Sequence, residues 1–265
     1  MSIDVTRSIP VTGGELSATV RPGDQPALVF LHYWGGSKRT WRLVIDRLDP
    51  VTAVVAYDHR GWGQSADAPG PYGLSQLAAD AQQVIDGLGV DRYLLVGHSM
   101  GGKVAQMVAA RQPRGLVGLI LVAPAPAAPA GMTAQLQELT SHAYDDEQTV
   151  LQSIDQMLTH RALPDELRRQ IVEDSLSAHA EARLSWPTAG LAEDVSAGVD
   201  NIAVPVLILA GEHDLVEPPE LLRDHLLPLI PHAAMAVLDD TGHLSPLEAP
   251  DQVAAAITEF VARCH

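Results

Sequence analysis

Apolar residues recur along this chain in short, unbroken runs. Those at residues 27–32, 52–57, 93–97, 116–122 and 204–210 are rich in Val, Ile and Leu and show no polar alternation. Continuous apolar runs of this length predict strands covered on both faces, as in a parallel sheet. Between the runs the period changes. Leu77, Ala81, Val84, Ile85 and Leu88 share one helical face, and so do Val253, Ile257, Phe260 and Val261. Alternating strand and helix predicts an α/β fold built on a mostly parallel sheet. Ahead of residue 27 the pattern predicts one or two further strands, turned at Gly13-Gly14.

The alternation breaks at a Pro/Ala-rich junction, residues 123–130. From there to about residue 201 helical patterns take over. Val150, Ile154, Met157 and Leu158 mark one helix, and Pro164 with Asp165 opens another that ends near Ser175. Strand character returns at Val204. The expected organisation is a core of residues 1–126 and 202–265, with residues 127–201 forming a helical cap over the end of the sheet. Leu136, Leu139, Met157 and Leu158 are expected to pack mainly as core of that cap, with some also facing a pocket.

Composition narrows the partners. With 265 residues, 46% hydrophobic and 19% charged, the chain can bury one catalytic core with a modest insertion. A formal charge of −16 repels a nucleic-acid backbone, and no Lys/Arg cluster makes a local exception. Cys264 is the one cysteine, so no internal disulfide forms, which suits a reducing cytoplasm. The start, MSIDVTRSIP, lacks the pattern of a secretory signal, and no apolar run reaches the roughly 18 residues that cross a bilayer. A cytoplasmic protein with neither nucleic-acid nor membrane partners is expected; nothing in the pattern specifies an oligomeric state.

The chemistry centres on Gly97-His98-Ser99-Met100-Gly101-Gly102, which follows the run at 93–97 and precedes a helical stretch containing Val104, Met107 and Val108. A serine at a tight strand-to-helix turn presents its hydroxyl above the sheet, and the helix N-terminus favours the charge that develops in acyl transfer. A serine hydroxyl needs a base, and the base an orienting acid. His243 follows a short strand-like run, 235–238, and Asp214 follows the run at 204–210, which places it at the same end of the sheet as Ser99. The order serine, acid, histidine is that of the α/β-hydrolase arrangement. Glu212 is the rival acid. His98 points away from Ser99 by strand alternation and reads as structural. Gly61-Trp62-Gly63-Gln64-Ser65-Ala66 is not a dinucleotide fingerprint, because Pro69, Gly70, Pro71 and Gly73 preclude the helix it requires. His142, Asp145, Asp146 and Glu147 match no familiar metal spacing and read as a solvated helix start.

Taken together, His32-Tyr33-Trp34-Gly35-Gly36, Asp58-His59-Arg60-Gly61-Trp62-Gly63-Gln64-Ser65, the serine turn and the acid and histidine loops resemble the α/β-hydrolase superfamily over essentially the whole chain. The resemblance implies an eight-stranded, mostly parallel sheet flanked by helices, with a helical cap after strand six. It implies Ser99, Asp214 and His243 as the catalytic set, Asp214 rather than Glu212 as the acid, and backbone N–H groups of Trp34 and Met100 as an oxyanion hole. Asp58 and Arg60 resemble a family turn that holds its loop. Many relatives have His-Gly where this chain has His32-Tyr33, so Tyr33 is expected either to line the pocket or to restrict that loop.

Serine as nucleophile argues against haloalkane dehalogenase or epoxide hydrolase chemistry, which uses an aspartate there. The expected activity is hydrolysis of a small or medium carboxylic ester with no metal or organic cofactor. A lactonase, amidase, carbon–carbon bond hydrolase or cofactor-free perhydrolase would use the same residues. A slow-turnover small-molecule receptor is the alternative of another class. Tyr33, Trp34, Met100 and Trp186 predict a partly aromatic, apolar pocket. No Arg or Lys is evidently aimed at the site, so an uncharged acyl group is expected.

Overall fold

The computed structural model describes residues 4–129 and 133–264, apart from the side chain of Leu136. Residues 1–3 of the opening stretch, Ala130 of the Pro/Ala-rich junction and the Leu136 side chain therefore lie outside the described residues. One sheet carries β1 (Val5–Val11), β2 (Gly14–Arg21), β3 (Asp24–Leu31), β4 (Thr52–Tyr57), β5 (Tyr93–His98), β6 (Leu116–Val122), β7 (Val206–Gly211) and β8 (Ala234–Leu238). Their spatial order is β1-β2-β4-β3-β5-β6-β7-β8. From β4 onward across the sheet every pairing is parallel; β1 and β2 form an antiparallel hairpin on one edge. The hairpin turn is Thr12-Gly13, one residue earlier than expected. Gly13 takes the positive φ of 80° that the turn needs, and Gly14 already pairs with Val11.

The unbroken apolar runs have a direct cause. Along β3, Leu28 and Phe30 pack on one face of the sheet, while Val29 and Leu31 pack on the other. The same alternation holds for Val54 and Ala56 against Val55 and Tyr57 on β4. Both faces are roofed, so neither phase of the alternation tolerates a polar side chain. Trp41, Val44, Val253, Ile257 and Phe260 cover the first face. Helices Leu74–Gly87 and Met100–Ala110 cover the second, with the helical segment that joins β6 to β7. No strand is present among the described residues of that segment. Among the described residues, no helix is long and apolar enough to cross a membrane.

Two of the apolar residues assigned above to a cap core sit elsewhere. Val150, Ile154 and Leu158 are buried, but Met157 is 42% exposed and Leu139 64% exposed. Helix Glu147–Ser153 continues into a π-helical turn, Ile154–Leu158, in which the Thr159 N–H reaches back five residues to the Ile154 carbonyl. The wider turn keeps Leu158 on the buried stripe and turns Met157 off it. Helix Asp165–Leu176 opens after Pro164, as its sequence predicts.

Candidate active site

The residues of interest all follow the carboxyl ends of parallel strands, where loops converge on one edge of the sheet. Ser99 follows β5 directly and heads helix Met100–Ala110. Its φ of 52° and ψ of −116° are strained for a non-glycine residue, and its neighbours make the turn feasible. A Cβ on Gly97 would lie 2.4 Å from the Gly101 carbonyl oxygen, and one on Gly101 would lie 2.5 Å from the Leu31 carbonyl oxygen. The glycines let the strand, the helix and the loop after β3 close around the serine.

Three side chains form a continuous chain of hydrogen bonds. Ser99 Oγ lies 2.9 Å from His243 Nε2, and His243 Nδ1 lies 2.9 Å from Asp214 Oδ2. All three are buried. With Asp214 Oδ2 accepting from Nδ1–H, Nε2 is left as the acceptor for the serine hydroxyl. The other carboxylate oxygen, Asp214 Oδ1, accepts from the backbone N–H groups of Val216 and Glu217 at 2.8 and 2.9 Å, which fixes the carboxylate plane. Glu212 is turned away: its carboxylate accepts from the Asp240 N–H on the surface. His98 is fully buried, and its Nε2–H donates to the His243 carbonyl at 2.9 Å. Burial holds His98 well below the usual histidine range, so it stays neutral and positions the histidine loop.

The loop after β3 is locked in a similar way. His32 Nδ1–H donates to the Tyr33 carbonyl at 2.7 Å, while Nε2 accepts from the His59 N–H at 3.0 Å. That pattern needs a neutral imidazole, and burial lowers the His32 pKa to about 4. Among the described residues, no hydrogen bond takes up the backbone N–H of Trp34 or of Met100. Tyr33 is buried and lines the cavity in front of Ser99, with its ring against His98. Trp34 stacks on Tyr144 at 4.1 Å, donates through Nε1 to the Arg183 carbonyl, and accepts through its own carbonyl from the Tyr144 hydroxyl. Asp58 accepts from the Lys38 and Gln64 N–H groups and from Lys38 Nζ, and Arg60 makes a buried, two-pronged pair with Asp80.

The cavity in front of Ser99 has a volume of about 520 Å³. Tyr33, Trp34, Trp186, Leu139, Met157 and Leu158 contribute an apolar and aromatic wall, and His243 borders it. The Met100 side chain does not; it packs in the core. A further correction concerns charge. Lys103, one helical turn after Ser99, and Glu217, three residues after Asp214, both line the cavity. The absence of a cationic side chain, expected from the sequence, does not hold. The spacing of four from Ser99 on a helix was the available signal. Glu248 was also missed. It accepts from the N–H groups of His160, Arg161 and Gly242, joining the helical segment to the histidine loop. Nothing in its local sequence marks that role.

Residues 28–256 match the alpha/beta hydrolase family. The chain is a member of that family. This alpha/beta hydrolase is 27% identical over 256 residues to 3-oxoadipate enol-lactonase 2 of Acinetobacter baylyi, covering 93% of this chain and 92% of that protein. Its fold is similar to that of an esterase from Exiguobacterium antarcticum, with a TM-score of 0.87, 24% identity and coverage of 97% and 100% of the two chains. A thermophilic esterase from Thermogutta terrifontis matches with a TM-score of 0.81 and 25% identity over the full length of both chains.

As for metals, His142 of the polar cluster noted above bonds instead to Asp145 and Glu138, and Asp146 caps helix Glu147–Ser153. Among the described residues, His160, His213 and Asp240 bring ligand atoms within 4.8 Å of one another at the surface. Asp240 is already engaged there by Arg161 and His160.

Proposed function

We propose that this alpha/beta hydrolase cleaves a small or medium carboxylic ester through an acyl-enzyme on Ser99. The hydrogen-bonded chain from Asp214 through His243 to Ser99, opening on the cavity, carries the reading. In the first step Ser99 Oγ attacks the ester carbonyl while His243 Nε2 takes the hydroxyl proton. Asp214, ionised and held by two backbone N–H groups, stabilises the resulting imidazolium and keeps its tautomer. The tetrahedral oxyanion forms beside the helix that Ser99 heads, where the unpaired N–H groups of Trp34 and Met100 receive it. His243 then returns the proton to the leaving oxygen, and the alcohol departs. A water deprotonated by His243 attacks the acyl-enzyme, and the free acid leaves as the serine proton is restored.

Residues 127–201 act in this reading as a cap. Trp34 is gripped from that side by Tyr144 and Arg183, and the cavity wall comes largely from the same segment. The enol-lactonase relative supports a second substrate form, a cyclic ester opened by the same steps.

Hydrolysis of 4-nitrophenyl esters of increasing acyl length tests the reading. The native chain should turn over a preferred ester at roughly 1 to 1000 per second. Ser99→Ala should lose about 10⁴-fold or more in kcat while keeping its circular dichroism spectrum. Unimpaired turnover in that variant overturns the mechanism. Turnover far below this range in the native chain, with Ser99 still labelled by a fluorophosphonate, favours a receptor instead.

A further inference from the structure

We propose that the cavity contains a carboxylate-binding site formed by Lys103 and Glu217, so that the preferred esters carry an anionic group on the acyl chain, remote from the scissile bond. The inference rests on the serine-hydrolase reading above. It starts from two ionisable side chains in the cavity that the proposed reaction does not use.

Lys103 is 1% exposed, yet among the described residues no carboxylate pairs with it directly. Its ammonium donates to the Gly190 carbonyl at 3.0 Å and reaches the Leu191 carbonyl at 3.5 Å, and it lies 5.8 Å from the centre of the Trp186 ring. Glu193 and Asp194, and Glu217 when ionised, act on it only through longer-range attraction. A buried ammonium has three donors to satisfy, and backbone carbonyls do not neutralise its charge. Burial lowers its pKa to about 8, so it remains mostly charged at neutral pH.

Glu217 is the complementary case. The residue is 7% exposed and lines the same cavity, and its carboxyl accepts no hydrogen bond among the described residues; its backbone N–H is engaged by Asp214. Burial and the neighbouring Asp214 carboxylate hold Glu217 well above the usual carboxylate range. A protonated Glu217 presents an O–H donor to the cavity. With Glu217 protonated, the two groups together offer one net positive charge and two donor groups in a largely apolar enclosure. A carboxylate satisfies both; an alkyl end leaves them unpaired, and an ammonium is repelled. Lys103 lies one helical turn along the helix that Ser99 heads, and Ser99 would hold the acyl group, so the anionic group is assigned to the acyl chain.

Three esters with one leaving group test this: mono-4-nitrophenyl adipate, 4-nitrophenyl heptanoate and 4-nitrophenyl 6-aminohexanoate. Adipate is chosen because the shorter succinate and glutarate monoesters are attacked by their own carboxylates. In the native chain kcat/KM should fall in that order, with the adipate ester favoured over heptanoate by at least about tenfold. Lys103→Met should cut the adipate-to-heptanoate ratio by about tenfold or more, and Glu217→Leu should also lower it. Glu217→Gln, which keeps a donor, should retain most of the ratio.

Heptanoate favoured over adipate, preference for the ammonium ester, or a ratio unmoved by Lys103→Met overturns the proposal. The three-ester comparison in the native chain stands even if a variant fails to fold. Heptanoate hydrolysis and fluorophosphonate labelling of Ser99 report separately on the serine-hydrolase reading. Their loss in the native chain sinks that reading, whereas their persistence without charge discrimination sinks only the carboxylate site.

Discussion

The strand-end loops and the helical segment between β6 and β7 meet across one cavity, but they are built differently. The loops are tied to one another through backbone. The Glu212 N–H donates to the Leu238 carbonyl, the His213 N–H donates to that of Thr241, and a Cβ on Gly211 would lie 2.4 Å from the Gly242 carbonyl oxygen. Such close approach leaves the acid and histidine loops little freedom to slide. The helical segment meets them mostly through side chains: Trp34 with Tyr144 and Arg183, Ser37 and Arg39 with Asp174, Arg161 with Asp240, and Glu248 with the His160 and Arg161 N–H groups, beside backbone bonds from Leu244 to Leu158 and from His179 to Gly61. It also exposes Leu139, Met157 and Leu184. Changes in the loops should therefore alter the rate of chemistry, and changes in the helical segment should alter which acyl chains are accepted.

The sharpest way to break this contrast is at the acid. Asp214→Asn should lower kcat by about a thousandfold or more, because the amide favours the wrong histidine tautomer. Glu212→Gln, on the surface beside it, should stay within about twofold of native activity. Steady-state kinetics on one ester checks both, and a large loss in the second variant would reverse the assignment.

The next effect concerns stability of the loop after β3. His32 is neutral in the folded chain, with a pKa near 4, whereas an unfolded histidine titrates near 6.5. Between those values the unfolded chain binds a proton that the folded chain refuses. Stability is thus fully present above about pH 6.5, falls as pH drops toward 4, and levels off below that for this group. His32 alone contributes about 3 kcal/mol to the loss, and the buried neutral His59 and His98 act in the same direction. Urea midpoints at pH 7.5 and 4.5 measure it; an unchanged midpoint would show that His32 is not held neutral.

Glu248→Ala should cost about 2 kcal/mol, since it strips an acceptor from three N–H groups, that of Gly242 being buried. A urea titration reads the stability, and kcat should fall as well because Gly242 precedes His243. The smallest effect on folding should come from Leu139→Ser with Met157→Ser, within about 0.5 kcal/mol of native stability. The same pair should lower kcat/KM for long-chain neutral esters by about fivefold, leaving short-chain esters much less affected. Equal losses on both would remove the distinction between the two regions.

Much of this was legible in the residues. Strands 52–57 and 116–122 match β4 and β6 at both ends because burial on both faces makes the apolar run coextensive with the ladder. Ser99, Asp214 and His243, which the structure brings together, were singled out because each lies on a loop that follows a strand run and contains or adjoins a glycine. Met157 was misread because a single π turn shifts a helical stripe without any change in composition. Lys103 and Glu217 were missed for another reason. Their local contexts, a helix after the serine turn and a turn after the acid, look the same whether the side chain meets solvent, protein core or a cavity.

By itself the sequence determined the α/β alternation, the parallel character of the sheet and the order of serine, acid and histidine. Those depend on periodicity and on short-range turn chemistry, which neighbours along the chain suffice to specify. Only the tertiary structure decided that Asp214 Oδ2 comes within 2.9 Å of His243 Nδ1, that Glu248 ties the helical segment to the histidine loop, and that an ammonium and a carboxyl share the cavity. Each of these brings together residues far apart in the chain, and their environment exists only once the strands are in register and the helices have closed over them.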